Sequence, residues 1–465
     1  VLTIIATYFL TKRLFPNSQT FTIKNLQFGI PEVAALLLAI SPWHLQFSRI
    51  GFESNIAVAL NIFGALFFLL ALKRPVFLLF SAAIFALNLY MYQSSKVFVP
   101  LLVLTLVVIY RKELFATSKK FLFSSVIIGI FIAFPMALYM VGSSEALARA
   151  QGVSIFSDTT SFLAENAKRL QEDREKNDLL GLVLDNRRIL YVREIVSGYI
   201  SHFDLNWLFI KGDIARHHAP YMGLLYLCEL PFLLIGIYQL VFASQKQGVS
   251  IKTKALIFSW FLLAPIPASI TSGVPHAVRT LNFLPTFQIF TAFGIFVFLT
   301  YVFRLKHGIF GIRSRFILYG MCFIVITFNF IYYLNQYFVQ QNYFVSADWQ
   351  YGYKEAVFEV KNIENKYDKI IVSNKPHLDQ SYMFFLFYLQ YPPDKYQKEA
   401  IYKSGGFREN HVYGKFMFRP IIWETEEKNG KTLFMGLPED FPSEAKIIKT
   451  INFLDGKPAI KIVEG

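Results

Sequence analysis

Charge is the scarcest commodity in this sequence. Of 465 residues only 17% are Asp, Glu, Lys or Arg, whereas 54% are hydrophobic and 17% aromatic, and the mean hydropathy is +0.41. That balance excludes an ordinary water-soluble globular chain, because a soluble fold of this length must cover its surface with polar groups. Cysteine is nearly missing. Cys228 and Cys322 both lie inside apolar runs, make no disulfide framework or metal pattern, and read as small buried apolar residues. No P-loop, GxSxG or HExxH occurs, which removes the signatures of common soluble nucleotide-binding, hydrolase and zinc-protease classes. Internal repeats and low-complexity tracts are absent as well.

What is present is a succession of long apolar runs at 1–15, 31–48, 54–72, 76–93, 97–110, 121–141, 221–243, 255–271, 282–303 and 316–338. Backbone polar groups in lipid must be satisfied within the segment, so these runs are expected to be membrane-spanning helices. The net charge of +14 fits that picture. Basic residues gather between alternate runs: Lys12, Arg13 and Lys24; Lys73 and Arg74; Arg111, Lys112, Lys119 and Lys120; Lys246, Lys252 and Lys254; Arg304, Lys306, Arg313 and Arg315. Acidic residues are almost lacking there, so the positive-inside rule makes these loops cytoplasmic. The basic surplus is thereby a topological signal, and no nucleic-acid partner is expected.

The other loops then face outward, among them the long segment 142–220 and everything after residue 340. Within the former, 161–178 carries mixed charge at helical spacing and reads as a solvated helix. Residues 186–203 are amphipathic, suited either to the membrane interface or to packing on the bundle. Beyond 340 the composition changes. An amphipathic helix is expected over 348–366, a strand at KIIVSN, a second helix at SYMFFLFYLQ ended by Pro392 and Pro393, and a hairpin around Asp455-Gly456. The expected fold is therefore mainly α, a polytopic transmembrane bundle over 1–340 followed by an extracytoplasmic α/β domain over 341–465.

Ionisable residues at the outer ends of the helices are the candidates for chemistry. SPWHLQFSRIGFESN (41–55) brings Arg49 and Glu53 to a short turn, where they either pair or serve as an anion clamp with an acid. YMYQSSKVFVP (90–100) offers Tyr92 and Lys96; the lysine is a snorkelling side chain or a phosphate ligand. KGDIARHHAPYMGLLY (211–226) clusters Asp213, Arg216, His217 and His218, whose spacing defines no metal ligand set and suits hydrogen bonding to sugar or phosphate. SGVPHAVRTLNFLP (272–285) adds His276 and Arg279, which anchor lipid headgroups or bind phosphate through the planar guanidinium.

SPWHLQFSRIGFESN, the YMYQSSKVFVP turn, HFDLNWLFIKGDIARHHAPYMGLLYLCELPFLL (202–234) and PHAVRTLNFLP (275–285), in this order, resemble the bacterial C-type membrane glycosyltransferases, in particular the protein-mannosyltransferase and aminoarabinose-transferase group. The resemblance spans residues 1–340. It implies a GT-C-like bundle and an inverting sugar transferase whose donor is a polyprenyl-phosphate-linked sugar and whose acceptor is a protein, lipid or glycan. By resemblance Glu53 stands at the family's second acidic position, Lys96 at a donor-phosphate lysine, and Arg279 near the donor. Arg49, Tyr92, Arg216, His217 and His276 complete the expected substrate-binding set. The family's first helix, and a first outer loop with the main catalytic Asp, have no counterpart here; residues 1–15 look like its second helix. The natural product is accordingly expected to extend upstream of Val1. The resemblance names no cofactor and leaves room for a divalent cation. The expected location is the cell membrane, in contact with its lipids. The competing readings are a transporter or flippase of lipid-linked sugars, which would carry polar groups at the bilayer midplane, and a non-catalytic membrane scaffold.

Overall fold

Each of the ten apolar stretches holds a helix in the computed structural model. The structure describes residues 1–16, 21–23, 26–143, 153–156, 161–242, 249–304, 312–399 and 410–465. Lys24, Lys246 and Lys306 of the basic loops, and 144–152 and 157–160 of the long outer segment, lie outside the described residues. Two compact units make up the chain, Val1–Tyr333 and Leu334–Gly465. The division falls a few residues before the boundary expected at 340.

The first unit contains α1 (Leu2–Leu14), a short hairpin of β1 (Phe21–Ile23) and β2 (Leu26–Phe28), then α2 (Ile30–Ile40), α3 (Pro42–Arg49), α4 (Glu53–Ala71), α5 (Phe77–Asn88), α6 (Ser95–Ile109), α7 (Arg111–Ala116) and α8 (Lys119–Gly142). After the polar segment come α9 (Ser161–Glu175), α10 (Leu179–Leu184), α11 (Arg187–Ser201), α12 (Leu230–Phe242), α13 (Ile251–Leu263), α14 (Ile266–Ser269), α15 (Thr286–Arg304) and α16 (Ile312–Asn335). Among the described residues, five helical stretches are long and apolar enough to cross a membrane: Glu53–Ala71, Lys119–Gly142, Ile251–Ser269, Leu281–Val302 and Gly320–Phe344. The stretch 31–48 is not one helix. Pro42 cannot continue the hydrogen-bond ladder and forces Ser41 into extended geometry (φ −60°, ψ 125°), so α3 starts afresh with Pro42 in its first turn.

Two packing modes coexist. On one side α12 and α15 cross at glycines: a Cβ on Gly236 would overlap the Phe290 carbonyl, and one on Gly294 the Phe232 carbonyl. Small residues let helix backbones approach when lipid supplies no hydrophobic drive. On the other, only 6% of the apolar window of α8 is buried, leaving Phe123, Ile130, Phe131, Phe134 and Leu138 exposed as a lipid-facing helix requires. Helix α11 shows both of its sequence-suggested faces. Gly198 lies against Ser269 and Val274, while Ile189, Val192, Val196 and Ile200 form an exposed apolar stripe.

The second unit is an α/β domain. Its helices include α17 (Gln341–Phe344), α18 (Tyr353–Ile363), α19 (Ser381–Tyr388) and α20 (Pro393–Glu399). Its strands are β3 (Lys369–Val372), β4 (His411–Tyr413), β5 (Phe416–Phe418), β6 (Thr432–Gly436), β7 (Lys446–Asn452) and β8 (Pro458–Glu464), in the order β4-β5-β3-β6-β8-β7. Strand β3 runs parallel to both its neighbours; the remaining pairs are antiparallel. Alternation along the strands divides the core. Ile370, Val372, Leu433 and Met435 pack with Val357, Val360 and Phe385 of the helices, while Ile371, Phe434 and Val463 meet Ile421 and Phe441. The Asp455-Gly456 hairpin forms as expected, with Gly456 at φ +86°. The second hairpin, around Gly414 at φ +53°, was not foreseen.

The glycine crossing sets a test. Gly236→Leu forces side-chain atoms into the α15 backbone and should destabilise the bundle by about 1–3 kcal/mol or more. Thermal unfolding in detergent should show a clear drop in Tm, whereas Gly320→Leu, where a Cβ meets open space, should leave it unchanged.

Candidate functional site

The four polar segments meet, and buried amides beneath them explain why. Asn88 Nδ2 donates to Asn61 Oδ1 (2.7 Å) and to the Ala57 carbonyl (3.0 Å), while Asn61 Nδ2 donates to Asn282 Oδ1 (3.0 Å). Asn282 Nδ2 continues to Ser94 Oγ (3.2 Å), Ser95 Oγ donates to Asn88 Oδ1 (3.2 Å), and Trp260 Nε1 donates to the Asn282 carbonyl (2.7 Å). All these residues except Ala57 and Trp260 are polar side chains buried within apolar helices or their ends. An unpaired amide there would cost its full desolvation, so the chain holds α4, α5, the start of α6 and the turn at 281–283 in one register.

Helix α3 pins the remaining loops. Fully buried Trp43 donates from Nε1 to the Ala277 carbonyl (3.2 Å) and from its backbone N–H to the Leu224 carbonyl (3.1 Å). Gln46 Nε2 donates to the Arg216 carbonyl at 2.7 Å. The rings of Phe47 and Phe52 lie 5.7 and 6.2 Å from that of His217. Gly212, at φ +70°, allows the tight turn that follows it; a Cβ there would strike the His218 ring.

At the junction, His217 Nδ1 and Asp213 Oδ2 are 2.8 Å apart, both side chains only 6% exposed. The same Asp213 oxygen accepts the Ala277 amide at 2.7 Å. Burial alone would push the Asp213 carboxyl up, but the hydrogen bonds from His217 and Ala277 outweigh it and hold it below its usual range. The His276 ring stands 5.0 Å from that of His217, and its buried Nδ1 has no hydrogen-bond partner among the described residues. Burial, reinforced by Arg279, lowers the His276 pKa to about 3, so the ring is neutral. His202 supports this loop: its Nδ1 lies 2.6 Å from the Gly198 carbonyl, and its Nε2 accepts the His276 backbone N–H at 3.2 Å. That pair of contacts assigns the proton to Nδ1. Asp213, His217 and His276 each offer a ligand atom within 4.8 Å of the others.

The expected site residues do not all share one role. His217, His276 and Arg279 belong to this junction. Arg279 Nη1 is held by Thr271 Oγ1 and the Ser272 carbonyl, each at 2.6 Å, and burial lowers its pKa without removing its charge. Tyr92 lies close enough to act on Arg279 electrostatically. Lys96, in the first turn of α6, is engaged elsewhere, with Nζ on Gln93 Oε1 (2.8 Å) and Met140 Sδ (3.4 Å). Arg216 contributes its carbonyl to Gln46, while the residue is otherwise exposed. Arg49 ends α3 and Glu53 opens α4, exposed, across the Gly51 turn. Sequence reading overlooked His202, Gln46 and the amide chain. Single Asn residues inside apolar runs were the available signal for the last of these.

Removing Asn88 tests the supporting chain. Asn88→Ala removes the donor to Asn61 Oδ1 and the acceptor of the Ser95 hydroxyl and should cost about 1–3 kcal/mol, read as a lower Tm in detergent. Asn329→Ala, on an exposed helix face, should be neutral. No protein-family model and no curated protein matches this chain.

Proposed function

We propose that the chain is a membrane glycosyltransferase that moves a sugar from a polyprenyl-phosphate donor to a hydroxyl of a protein, lipid or glycan at the outer membrane face. The observation that carries this reading is a groove of about 350 Å³ between α4, α5, α6 and α8. Its lining is almost wholly apolar, including Leu89, Val99, Val103, Leu122, Val126 and Ile130. Lys96 lies one helical turn before Val99 on α6, so a cation stands beside one end of an apolar slot. A lipid phosphate has that shape and polarity: a hydrocarbon tail for the groove and an anionic head for Lys96.

The chemistry follows from the donor. A sugar on phosphate has its leaving group already attached. As the acceptor oxygen bonds to the anomeric carbon, the carbon–oxygen bond to phosphate breaks and charge builds on the departing phosphate, which Lys96 and Arg279 neutralise. The acceptor proton passes to a carboxylate, for which Glu53 is the exposed candidate beside Phe52. A flippase would use the same groove but would perform no transfer. The amides inside the bundle bond to one another, which favours structural support over a polar path.

The purified natural protein, supplied with polyprenyl-phosphate sugars in detergent, should transfer sugar, with no bilayer to cross. Lys96→Ala and Arg279→Ala should each lower kcat/KM roughly ten- to hundred-fold, as expected for a lost charged contact. Val103→Phe, which fills the groove, should raise KM for long-chain donors and spare short-chain ones. Flipping of the lipid by protein reconstituted into vesicles, with no transfer in detergent, would overturn the assignment. Orientation is tested separately. With Cys228 and Cys322 replaced, a cysteine at Lys428 should react with an impermeant thiol reagent in intact cells, and one at Lys112 should be protected.

A further inference from the structure

We propose that Asp213, His217 and His276 bind one divalent transition-metal ion, zinc by the chemistry of the donor set. Two imidazoles and one carboxylate are a recurrent zinc combination, and hard oxygen-seeking ions such as magnesium or calcium would not select two histidines. The three donor atoms already lie within 4.8 Å of one another. Ligands around a tetrahedral zinc, at ~2.0–2.2 Å from the ion, stand roughly 3.3–3.5 Å apart. Closing the present spread asks for shifts of about an ångström or less, within the reach of side-chain rotation.

Three features of the surroundings favour an ion there. First, the Nδ1 of His276 is buried without a hydrogen-bond partner among the described residues. An orphaned buried nitrogen is costly, and coordination satisfies it. Second, His217 Nδ1 and Asp213 Oδ2 already lie 2.8 Å apart, so an ion that replaces the proton between them asks the pair to open by only about half an ångström. Third, the supports are already built. The Ala277 N–H steadies the Asp213 carboxylate, and His202, itself held by the Gly198 carbonyl, steadies the His276 backbone. Outer hydrogen bonds of this kind orient metal ligands. The Arg279 guanidinium is tied down by Thr271 and Ser272 of its own loop.

The ligands come from two loops. Asp213 and His217 sit on the turn after Gly212, and His276 on the loop before α15, so one ion would fasten the two together. Three protein ligands leave a fourth position for water or an anionic oxygen, as in an open zinc site. Under the transferase reading that oxygen would come from the donor phosphate or the acceptor, but metal binding itself does not depend on that reading.

The full chain, purified in detergent and stripped with a chelator, should take up one equivalent of Zn²⁺ by elemental analysis. Co²⁺ should give the intense visible bands of a four-coordinate N/O site. His276→Gln and Asp213→Asn should each weaken Co²⁺ binding at least ten-fold, while His377→Gln, on the exposed surface of the second unit, should not change it. Failure of the wild-type chain to bind a stoichiometric ion overturns the proposal, whatever the variants do. So does stoichiometric binding that survives His276→Gln and Asp213→Asn together. These measurements need no sugar donor, so they stand or fall separately from sugar transfer.

Discussion

A chain of buried amides is the constraint on which the rest of the first unit depends. Asn61, Asn88 and Asn282 lie in apolar surroundings where an unmet hydrogen bond is expensive and no water can substitute. Each satisfies another, and Ser94, Ser95 and Trp260 take what remains. Apolar helices can slide and rotate against one another at little cost, because Leu and Phe make nearly equivalent contacts in many registers. Amide pairs cannot. They therefore fix how α4, α5 and α6 meet the 281–283 turn, and the loops at that end inherit their positions.

Helix α3 carries the same fixation into the loops. A helix of only eight residues, started by Pro42 and ended at Arg49, is too short to be stable by itself. It is held because Trp43 reaches both Leu224 and Ala277 and Gln46 reaches Arg216. The break at Ser41 thus has a use. A continuous helix over 31–48 would aim Trp43 and Gln46 along a different axis, and the 212–218 and 272–279 loops would lose their shared anchor.

Two environments result. The groove beside α6 and α8 is apolar over nearly its whole lining, and Lys96 precedes its Val99 by one turn of α6. The junction of Asp213, His217 and His276 is polar, mostly buried and closely bonded. One suits a hydrocarbon tail, the other an ion or an anionic oxygen. Tyr92, four residues before Lys96 in the chain, acts electrostatically on Arg279.

The sequence by itself determined where apolar helices lie, though not the break of 31–48 at Ser41, together with the change of character near residue 340, the Asp455-Gly456 hairpin and the four polar segments worth watching. All are local: hydrophobic run length, breaker residues and turn chemistry are written within a few neighbouring positions. Tertiary structure alone decided which of those polar residues meet. His276 joins Asp213 and His217 across about sixty intervening residues, a separation that no spacing rule spans. Lys96 and Arg279 look equivalent as outward-facing cations, yet one is engaged by Gln93 and Met140 and the other by Thr271 and Ser272. Pairing between distant loops depends on how the helices beneath them are registered. That register is set by a few amides whose partners lie as far as 221 positions away in the chain.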